Sequence, residues 1–264
     1  MKVLIVSKRN DEGIKKAEEL KDTLSKRGVE AIFGEMCDGA ECSFIRKFSG
    51  DYVVTLGGDG TFLLTAQNLS KEIPILPVRI EGVGFLCNLD WNEFLGNIDR
   101  FVNEKFSFDY FPRIGIYNKI KARAVNEIVI ARARLSKILR IEFKVGETKF
   151  NVKGDGLIFS TALGSSAYSL SSGGSLIDQS LDVIHIVPIS PFNTKIKPFV
   201  VSANKEIKIK LKNKGGSVVV DGQKEESLEA GEEVTIKKSK PLKVITFKDN
   251  NIFRKYKEKF LEGR

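Results

Sequence analysis

The order of apolar runs and helical segments most constrains the fold of this chain. Within the first hundred residues, apolar runs predict strands at 2–6, 29–33, 51–56 and 74–78. Segments with apolar residues at helical spacing lie between or after them, at 12–26, 62–69 and 91–102. Strands that alternate with helices are typical of an open parallel sheet covered by helices. We therefore predict an α/β domain over residues 1–105.

The alternation of strands and helices ends at about residue 106, after which short apolar strands follow one another and are separated by turn residues. This pattern predicts a β-rich second domain over residues 106–248. A final segment, 249–264, offers an apolar helical face and is expected to pack back on one of the domains. The residues of that face are Ile252, Phe253, Tyr256, Phe260 and Leu261.

Composition is that of a globular protein, with 42% hydrophobic and 29% charged residues. No apolar run approaches the roughly 20 residues that span a bilayer, and MKVLIVSKRN at the start reaches charge too soon for a secretory signal. We expect a cytoplasmic protein without a membrane partner. Cys37, Cys42 and Cys87 are odd in number and have no CxxC spacing, so we predict that all three are reduced and structural.

The net charge of +9 is compatible with nucleic acid, an acidic membrane surface or a polyanionic small molecule such as ATP. Charge alone does not choose among them. Part of the excess lies at 205–214, where Ile207, Ile209 and Leu211 alternate with lysines. That alternation favours a strand with one solvated face over a binding surface.

The strongest local signal is VVTLGGDGTFLL at 53–64, an apolar strand that runs through three glycines into an apolar helix. Such a loop exposes backbone N–H groups and the positive end of a helix dipole, which suits phosphate. It has neither the Walker A nor the dinucleotide GxGxxG spacing. Asp59 stands in its middle, where a carboxylate would take a proton from an attacking hydroxyl or engage a divalent cation. The alternative is an ordinary Asp-Gly turn.

Three further places offer polar groups to a ligand. The small-residue segment 152–174 lets a ligand approach the backbone and carries serine hydroxyls and Asp155, although its composition also fits a linker. Asn126-Glu127 interrupts an apolar run, so it lies at a bulge or edge or faces a ligand. Asp221-Gly222-Gln223 predicts a hairpin turn, from which Gln223 could reach a ligand.

His185, the only histidine, has apolar neighbours and is predicted to be a core residue. With a single histidine and no cysteine pair, neither a zinc site nor a Ser-His hydrolase is supported.

Taken in order, these motifs resemble those of the NAD kinases, over nearly the whole chain. They are GGDGT at 57–61, NE at 126–127, DG at 155–156, GSSAYSLSSGG at 164–174 and DGQ at 221–223. The glycine loop is shared with diacylglycerol, sphingosine and phosphofructo-kinases, whereas the serine-rich run is the specific part. The resemblance implies an α/β N-terminal domain, a β-rich C-terminal domain and a site in the cleft between them.

The resemblance also implies roles for individual residues. Asp59 would accept the proton, and Gly57, Gly58 and Gly60 would lie at the phosphates. Asn126 and Glu127 would hold the adenosine ribose of NAD, and Asp155 the nicotinamide-ribose side. The remaining contacts to the dinucleotide would come from Lys153, Ser166, Ala167, Tyr168, Ser169, Leu170, Ser171 and Gln223.

The implied reaction transfers a phosphoryl group from ATP or polyphosphate to the 2′-hydroxyl of the adenosine ribose, giving NADP. It implies Mg²⁺ or another divalent cation, for which no protein ligand is assigned, and a homodimer or homotetramer with no nucleic-acid partner. Two rivals are a lipid kinase of the same superfamily and a basic nucleotide-binding protein without catalysis. The first needs a deep apolar acceptor pocket, and the second has no use for a carboxylate in a phosphate loop.

The chain departs from the family pattern in two loops. The family usually has Thr-Pro-Thr-Gly-Ser-Thr before its Ala-Tyr pair, but here Ala162 and Leu163 follow Thr161. In the segment RIEGVGFL, Glu81 replaces a common glycine and Gly82 stands where arginine is frequent. Such departures are typical of a divergent, archaeal-type member.

Overall fold

The computed structural model of the chain describes residues 1–35, 42–82, 84–134, 137–192, 195–248 and 252–262, except the side chains of Glu35, Ile252, Lys259 and Phe260. The chain divides into two compact units. The first comprises Met1–Phe111 and Leu242–Arg264, and the second comprises Pro112–Pro241.

The first unit alternates strands and helices, as predicted. Its elements up to residue 102 are β1 (Lys2–Ser7), α1 (Asp11–Ser25), β2 (Glu30–Glu35), α2 (Ser43–Lys47), β3 (Tyr52–Gly57), α3 (Asp59–Asn68), β4 (Ile75–Arg79), β5 (Leu89–Asp90), α4 (Trp91–Gly96) and α5 (Ile98–Val102). Strands β2, β1, β3 and β4 lie side by side in that order and are all parallel. Helix α1 begins where the Asn10 side chain accepts a hydrogen bond from the Gly13 N–H, 2.9 Å away.

The core of the first unit joins the inner faces of these strands to the helices. Leu20 of α1, Phe94 of α4 and Phe101 of α5 are fully buried against strand residues such as Val3 and Val54. The parallel arrangement places the ends of β1, β3 and β4 at one edge of the sheet. Residues that follow these strands are therefore neighbours.

The segment 91–102, predicted as one helix, is two. Helix α4 begins with a capping box between Asp90 and Glu93, and it ends before Asn97. The Asn97 amide donates to the Glu93 carbonyl oxygen at 2.8 Å, and Gly96 has a low helix propensity. These two residues interrupt the apolar periodicity without changing the buried face.

The second unit is built almost entirely of strands. The chain enters it within β6 (Ser107–Asn118) and continues through β7 (Ala122–Ala124), β8 (Glu127–Arg132), β9 (Leu139–Val145), β10 (Thr148–Gly154), β11 (Gly156–Thr161), a 3₁₀ turn (Leu163–Ser166), α6 (Tyr168–Ser171), β12 (Val183–Ile189), β13 (Phe199–Ser202), β14 (Ile207–Leu211), β15 (Gly216–Val220) and β16 (Lys224–Leu228). It returns to the first unit within β17 (Glu233–Thr246), which is followed by α7 (Ile252–Tyr256) and a π-helical turn (Lys257–Leu261).

Two groups of antiparallel strands share one core in the second unit. One has the order β13-β12-β11-β8-β15-β16, and the other runs β10-β9-β14 to the first part of β17. Apolar side chains of both groups form a single buried cluster, in which the Phe143 and Phe150 rings stack at 4.8 Å. Strand β14 buries Ile207, Ile209 and Leu211 and exposes Lys208, which confirms the solvated-face interpretation.

The fold class is therefore the predicted one, an α/β unit with a parallel sheet and a β-rich unit. The described part of the chain contains no helix long and apolar enough to cross a membrane. The expectation for the cysteines was wrong in one respect, because Cys42 is disulfide-bonded, whereas Cys87 is buried and outside any disulfide bond. The absence of CxxC spacing excludes a redox motif, but it does not prevent a bond between cysteines at other spacings. Cys37 lies outside the described residues.

Candidate active site

The glycine loop joins β3 to α3 at the carboxyl edge of the parallel sheet. Gly58 is the N-cap of α3, and Asp59 is the first residue of the helix. A Cβ atom on Gly57 would lie 2.2 Å from the Thr61 hydroxyl oxygen, so glycine is needed where the helix turns back on the strand. The loop therefore presents the N-terminus of a ten-residue helix, with a carboxylate at its first position.

The Asp59 carboxylate is held by two backbone N–H groups of the loop that follows β4. Its Oδ2 accepts from Phe85 at 2.8 Å, and its Oδ1 accepts from Leu86 at 2.9 Å. These bonds fix the plane of the carboxylate. Because a carboxylate has about four lone-pair sites, each oxygen keeps capacity for another donor.

The unusual Glu81 has partners in the same region. It forms an ion pair with Lys8, which follows β1, and its Oε2 accepts from the Asn10 side-chain amide at 3.3 Å. The backbone carbonyl oxygen of Glu81 would lie 3.6 Å from a Cβ placed on Gly58. Glu81 therefore lies beside the glycine loop with its charge balanced by Lys8.

The C-terminal helix α7 contacts the loop that holds Asp59. The Lys255 ammonium donates to the carbonyl oxygens of Phe85 at 2.6 Å and Cys87 at 3.2 Å, and to Asn88 Oδ1 at 2.7 Å. The Lys255 ammonium thus connects helix α7 to the 85–88 loop within the first unit.

In the second unit, Asn126 and Glu127 stand at the start of β8. This strand lies between β11 and β15, and the antiparallel register places Glu127 opposite Ser160 and Ile128 opposite Val220. The start of β8 therefore meets the ends of both neighbouring strands. The three segments that carry NE, GSSAYS and DGQ come together at this point.

Asp221 anchors the backbone before β8. Its Oδ2 accepts from the Val125 N–H at 2.9 Å, and its Oδ1 accepts from Asn126 at 2.7 Å and Glu127 at 3.1 Å. Asp221 is itself 3% exposed. Three buried donors that would otherwise lack partners are thus satisfied by one carboxylate.

The end of β11 holds the same backbone from the other side. Thr161 donates from Oγ1 to the Val125 carbonyl oxygen at 2.6 Å and from its backbone N–H to the Asn126 carbonyl oxygen at 2.9 Å. A Cβ on Gly164 would lie 2.2 Å from that Asn126 oxygen. Glycine in the serine-rich motif is therefore required for close backbone approach.

The Asn126 and Glu127 side chains present unused polar atoms. Both residues are buried, and Asn126 Oδ1 and Glu127 Oε2 have no hydrogen-bond partner among the described residues. The Tyr168 backbone N–H donates to the Glu127 carboxyl group. Burial, followed by the nearby Asp221 carboxylate, raises the pKa of Glu127 to about 8. Unsatisfied polar atoms of this kind in a native structure point to a ligand.

The serines of the motif divide into internal and accessible groups. Ser165 donates to the Ala162 carbonyl oxygen at 2.6 Å, and Ser169 is hydrogen-bonded to His185 Nδ1 at 3.1 Å. Burial lowers the pKa of His185, which is the predicted core residue. Of the predicted dinucleotide contacts, Tyr168 and Ser171 are exposed, and Ser166, Ala167 and Leu170 are half-buried.

Asp155 and Lys153 are not in this cluster. Asp155 precedes β11, whereas Glu127 pairs with Ser160 near the other end of that strand, roughly 16 Å away at 3.3 Å per residue. Its carboxylate is paired with Arg132 at 3.0 Å, and Lys153 is exposed on β10. Gln223 is half-buried in the β15–β16 hairpin, next to Asp221.

Asp221 is the important residue that sequence reasoning missed. Asp221 and Gly222 have positive φ angles of 51° and 64° in a tight hairpin turn, so the predicted turn is present. The hairpin turn by itself explains the Asp-Gly pair. That turn therefore gives no reason to assign a second role to the carboxylate. One sequence feature could have indicated this role. Asp221 directly follows the apolar strand SVVV, so its carboxylate was placed where burial would require hydrogen-bond partners.

Carboxylates, histidines and cysteines do not form a group of three or more that could hold a metal in the described part of the chain. Asp59 is the carboxylate within the glycine loop, and the neighbouring Glu81 is paired with Lys8. Any divalent cation there would depend on ligands other than protein side chains for most of its coordination.

Family models match both units of the chain. The ATP-NAD kinase N-terminal domain matches residues 39–106, which include the glycine loop, and the ATP-NAD kinase C-terminal domain matches residues 125–246, which include the NE, GSSAYS and DGQ segments. The chain belongs to the NAD kinase family.

Individual relatives agree with this assignment. An NAD kinase of Methanothermobacter thermautotrophicus is 35% identical over 83% of this chain and 79% of its own length. The crystal structure of an Archaeoglobus fulgidus NAD kinase in complex with ATP has a TM-score of 0.80 at 28% identity, with 96% of each chain covered. Yeast NADH kinase complexed with NADH has a TM-score of 0.81 over the whole chain and 88% of its own, and at 18% identity it shares the fold.

The contact between Gly164 and Asn126 generates a first prediction. Gly164→Ala should destabilise the protein by about 1–3 kcal/mol, because the new methyl group meets a backbone oxygen that side-chain rotation cannot move. Chemical denaturation measures the loss. The matched control is Gly96→Ala, where nothing lies within 4 Å of the added Cβ, and it should be neutral or slightly stabilising. Equal stability of the two variants would contradict the proposed close approach.

Proposed function

We propose that this chain transfers the γ-phosphoryl group of ATP to the 2′-hydroxyl of the adenosine ribose of NAD, giving NADP. The observation that carries this proposal is the pair of buried, unsatisfied oxygens of Asn126 and Glu127, within the segment that matches the ATP-NAD kinase C-terminal domain. Such atoms select a ligand rich in hydrogen-bonding groups, such as a ribose or an adenine. The ATP complex of the Archaeoglobus fulgidus enzyme supports ATP as the donor.

In the proposed mechanism, Asp59 accepts the proton of the attacking 2′-hydroxyl. Its two N–H bonds from Phe85 and Leu86 hold the carboxylate in one orientation before the substrate arrives. The N-terminus of α3 and the glycines before it favour the negative charge of the donor phosphates. Phosphoryl transfer depends mainly on such positioning and charge neutralisation.

A divalent cation fits this loop when most of its ligands are donor phosphate oxygens and water. Mg²⁺ commonly keeps several waters and binds substrate phosphates, and Asp59 would be its protein ligand only if it were not the base. The cation would supply neutralisation of the polyphosphate charge. The loop itself has no Walker lysine.

Further parts of the proposal rest on the family resemblance. Lys153, Asp155, Ser166, Ala167, Tyr168, Ser169, Leu170, Ser171 and Gln223 would contact the dinucleotide. Because the Ser169 hydroxyl is bonded to His185, its contact would come from the backbone. Polyphosphate would serve as an alternative donor, and the protein would act in the cytoplasm as a homodimer or homotetramer.

The family assignment favours this reaction over both rivals. A lipid kinase shares the glycine loop but needs a deep apolar acceptor pocket, and the serine-rich segment that approaches the Asn126 backbone argues against one. A non-catalytic binding protein would gain nothing from a carboxylate at the first position of a phosphate-binding helix.

Asp59→Asn should lower kcat by roughly 10²–10⁴ with little change in KM for NAD, because the base is lost while the acceptor contacts remain. Steady-state kinetics of NADP formation measure the change, and thermal unfolding checks that the loop remains folded. Asp99→Asn is the control, an exposed acid on α5 whose loss should leave kcat unchanged. Near-wild-type turnover of Asp59→Asn would overturn its role. Rescue of Asp59→Asn by a raised Mg²⁺ concentration would instead assign Asp59 the role of a metal ligand.

Activity should require a divalent cation. The donor is polyanionic and no lysine in the glycine loop offsets its charge, so excess EDTA should abolish NADP formation and added Mg²⁺ should restore it. Initial rates across a Mg²⁺ titration measure this dependence. Full activity in EDTA would refute it.

The acceptor hydroxyl gives the sharpest test of the reaction. NAD that carries 2′-deoxyadenosine should never be phosphorylated, and loss of a hydroxyl partner should weaken its binding by about 1–3 kcal/mol for each neutral group left unpaired. Asn126→Ala and Glu127→Ala should each reduce NADP formation severely. Mass spectrometry of products from NAD, the deoxy analogue, diacylglycerol and sphingosine decides the acceptor. Phosphate on the analogue or on a lipid, with NAD unchanged, would contradict the proposal.

A further inference from the structure

The arrangement around Asp221 places two acidic side chains beside one short stretch of buried backbone. Asp221 accepts hydrogen bonds from the N–H groups of Val125, Asn126 and Glu127, and the last of these belongs to the residue whose own carboxyl group is also buried. Glu127 is 6% exposed and Asp221 is 3% exposed. Both carboxyl groups are therefore shielded from the bulk water that would screen their repulsion.

The hydrogen bonds distribute the available donors unequally. Asp221 receives three N–H groups, which stabilise its negative charge. Glu127 receives one N–H, from Tyr168 of α6, and its Oε2 has no partner within the described part of the chain. Among the described residues, Asp221 is the charged group that acts on the Glu127 carboxyl, and its effect is repulsive.

We propose that Asp221 is a positioning residue that fixes the Asn126-Glu127 backbone and keeps Glu127 as a neutral carboxylic acid at neutral pH. The unpartnered oxygen of Glu127 then carries a proton and donates a hydrogen bond to the ligand. The group recognised is an uncharged acceptor atom, such as a ribose oxygen or a ring nitrogen. This deepens the proposed function, since it takes NAD to be the ligand of this cluster.

The sign of the pH dependence follows from the direction of the shift. Burial and the Asp221 charge raise the pKa of Glu127 from 4.5 to about 8, so the neutral acid predominates below pH 8 and the carboxylate above it. Binding that needs the donor should weaken as pH rises through about 8. The contribution of Glu127 to folding stability is also lost as the pH rises between 4.5 and about 8, because the unfolded chain ionises first.

The protonation state is tested on the free protein by infrared difference spectroscopy. Wild type minus Glu127→Gln should show the C=O stretch of a protonated carboxylic acid at neutral pH, and the band should disappear well above pH 8. The matched control is Glu142→Gln, in the same unit, where hydrogen bonds from Lys149 and Lys212 lower the pKa of the carboxyl to about 2. That difference spectrum should show carboxylate bands only. Carboxylate bands for Glu127 at neutral pH would overturn the proposal.

Asp221→Asn tests the positioning residue. Asparagine tolerates the positive φ of 51° and keeps one acceptor oxygen, but it removes the charge and the bond to Val125. The Glu127 band should then disappear at a pH lower by about one unit or more, and NAD should bind more weakly. An unchanged band midpoint would refute the role of Asp221. If this variant fails to fold, wild type and Glu127→Gln still decide the protonation state.

Calorimetric titration with NAD separates this inference from the proposed function. Glu127→Gln keeps a neutral N–H donor of the same shape, so it should bind NAD within about threefold of wild type and without the decline above pH 8. Glu127→Ala should bind far more weakly. If Glu127→Gln loses NAD binding as severely as Glu127→Ala, the proposal that Glu127 acts as a neutral donor is wrong. If wild type shows the acid band but does not bind NAD, the proposed ligand fails while the protonation state stands.

Discussion

The constraint on which the candidate site depends is the hydrogen bonding of consecutive backbone N–H groups to a single aspartate. At the start of β8 the chain enters a buried strand, and Val125, Asn126 and Glu127 point their N–H groups at Asp221 rather than at water. Buried donors without partners would cost about 1–3 kcal/mol each. The acid therefore determines where the NE motif lies, while Asn126 Oδ1 and Glu127 Oε2 have no hydrogen-bond partner among the described residues.

The first unit has the same interaction between backbone N–H groups and an aspartate, but there the aspartate is the group that is positioned. There the acid is Asp59, the proposed base, and the N–H groups of Phe85 and Leu86 hold it. Lys255 in turn binds the carbonyl oxygens of Phe85 and Cys87, so the loop is supported by a helix distant in sequence. In both units a group with a proposed reactive or binding role is oriented by the backbone, which has no rotamers to change when a ligand binds. This rigidity suits phosphoryl transfer, which depends on positioning.

Much of this organisation is predictable from the sequence. The alternation of strands and helices, the glycine loop and the lysine-faced strand β14 follow from periodicity and from local conformational preferences, and the structure confirms the fold class. The two-helix break at Asn97 was not predicted, because side-chain bonding to Glu93 overrides an apolar pattern that continues through it. The disulfide bond of Cys42 was missed because cysteine spacing alone does not report spatial proximity.

The contacts that shape the site could not be predicted from the sequence either, because they join residues that are far apart along the chain. Asp221 is 94 to 96 residues from the N–H groups that it binds, and the hairpin turn already explains an aspartate before a glycine. Gly164 could be predicted to permit close approach, but its partner, the Asn126 carbonyl oxygen, is known only once β8 and β11 are paired. Long-range register converts these separate motifs into one cluster.

The central claim is that this chain converts NAD to NADP. The most direct measurement incubates the purified protein with NAD, ATP and Mg²⁺ and follows the product with an NADP-specific dehydrogenase. The account predicts NADP that accumulates with time and in proportion to protein, and none when ATP is omitted. No NADP from folded protein under any donor and divalent cation, while another acceptor is phosphorylated, would contradict it.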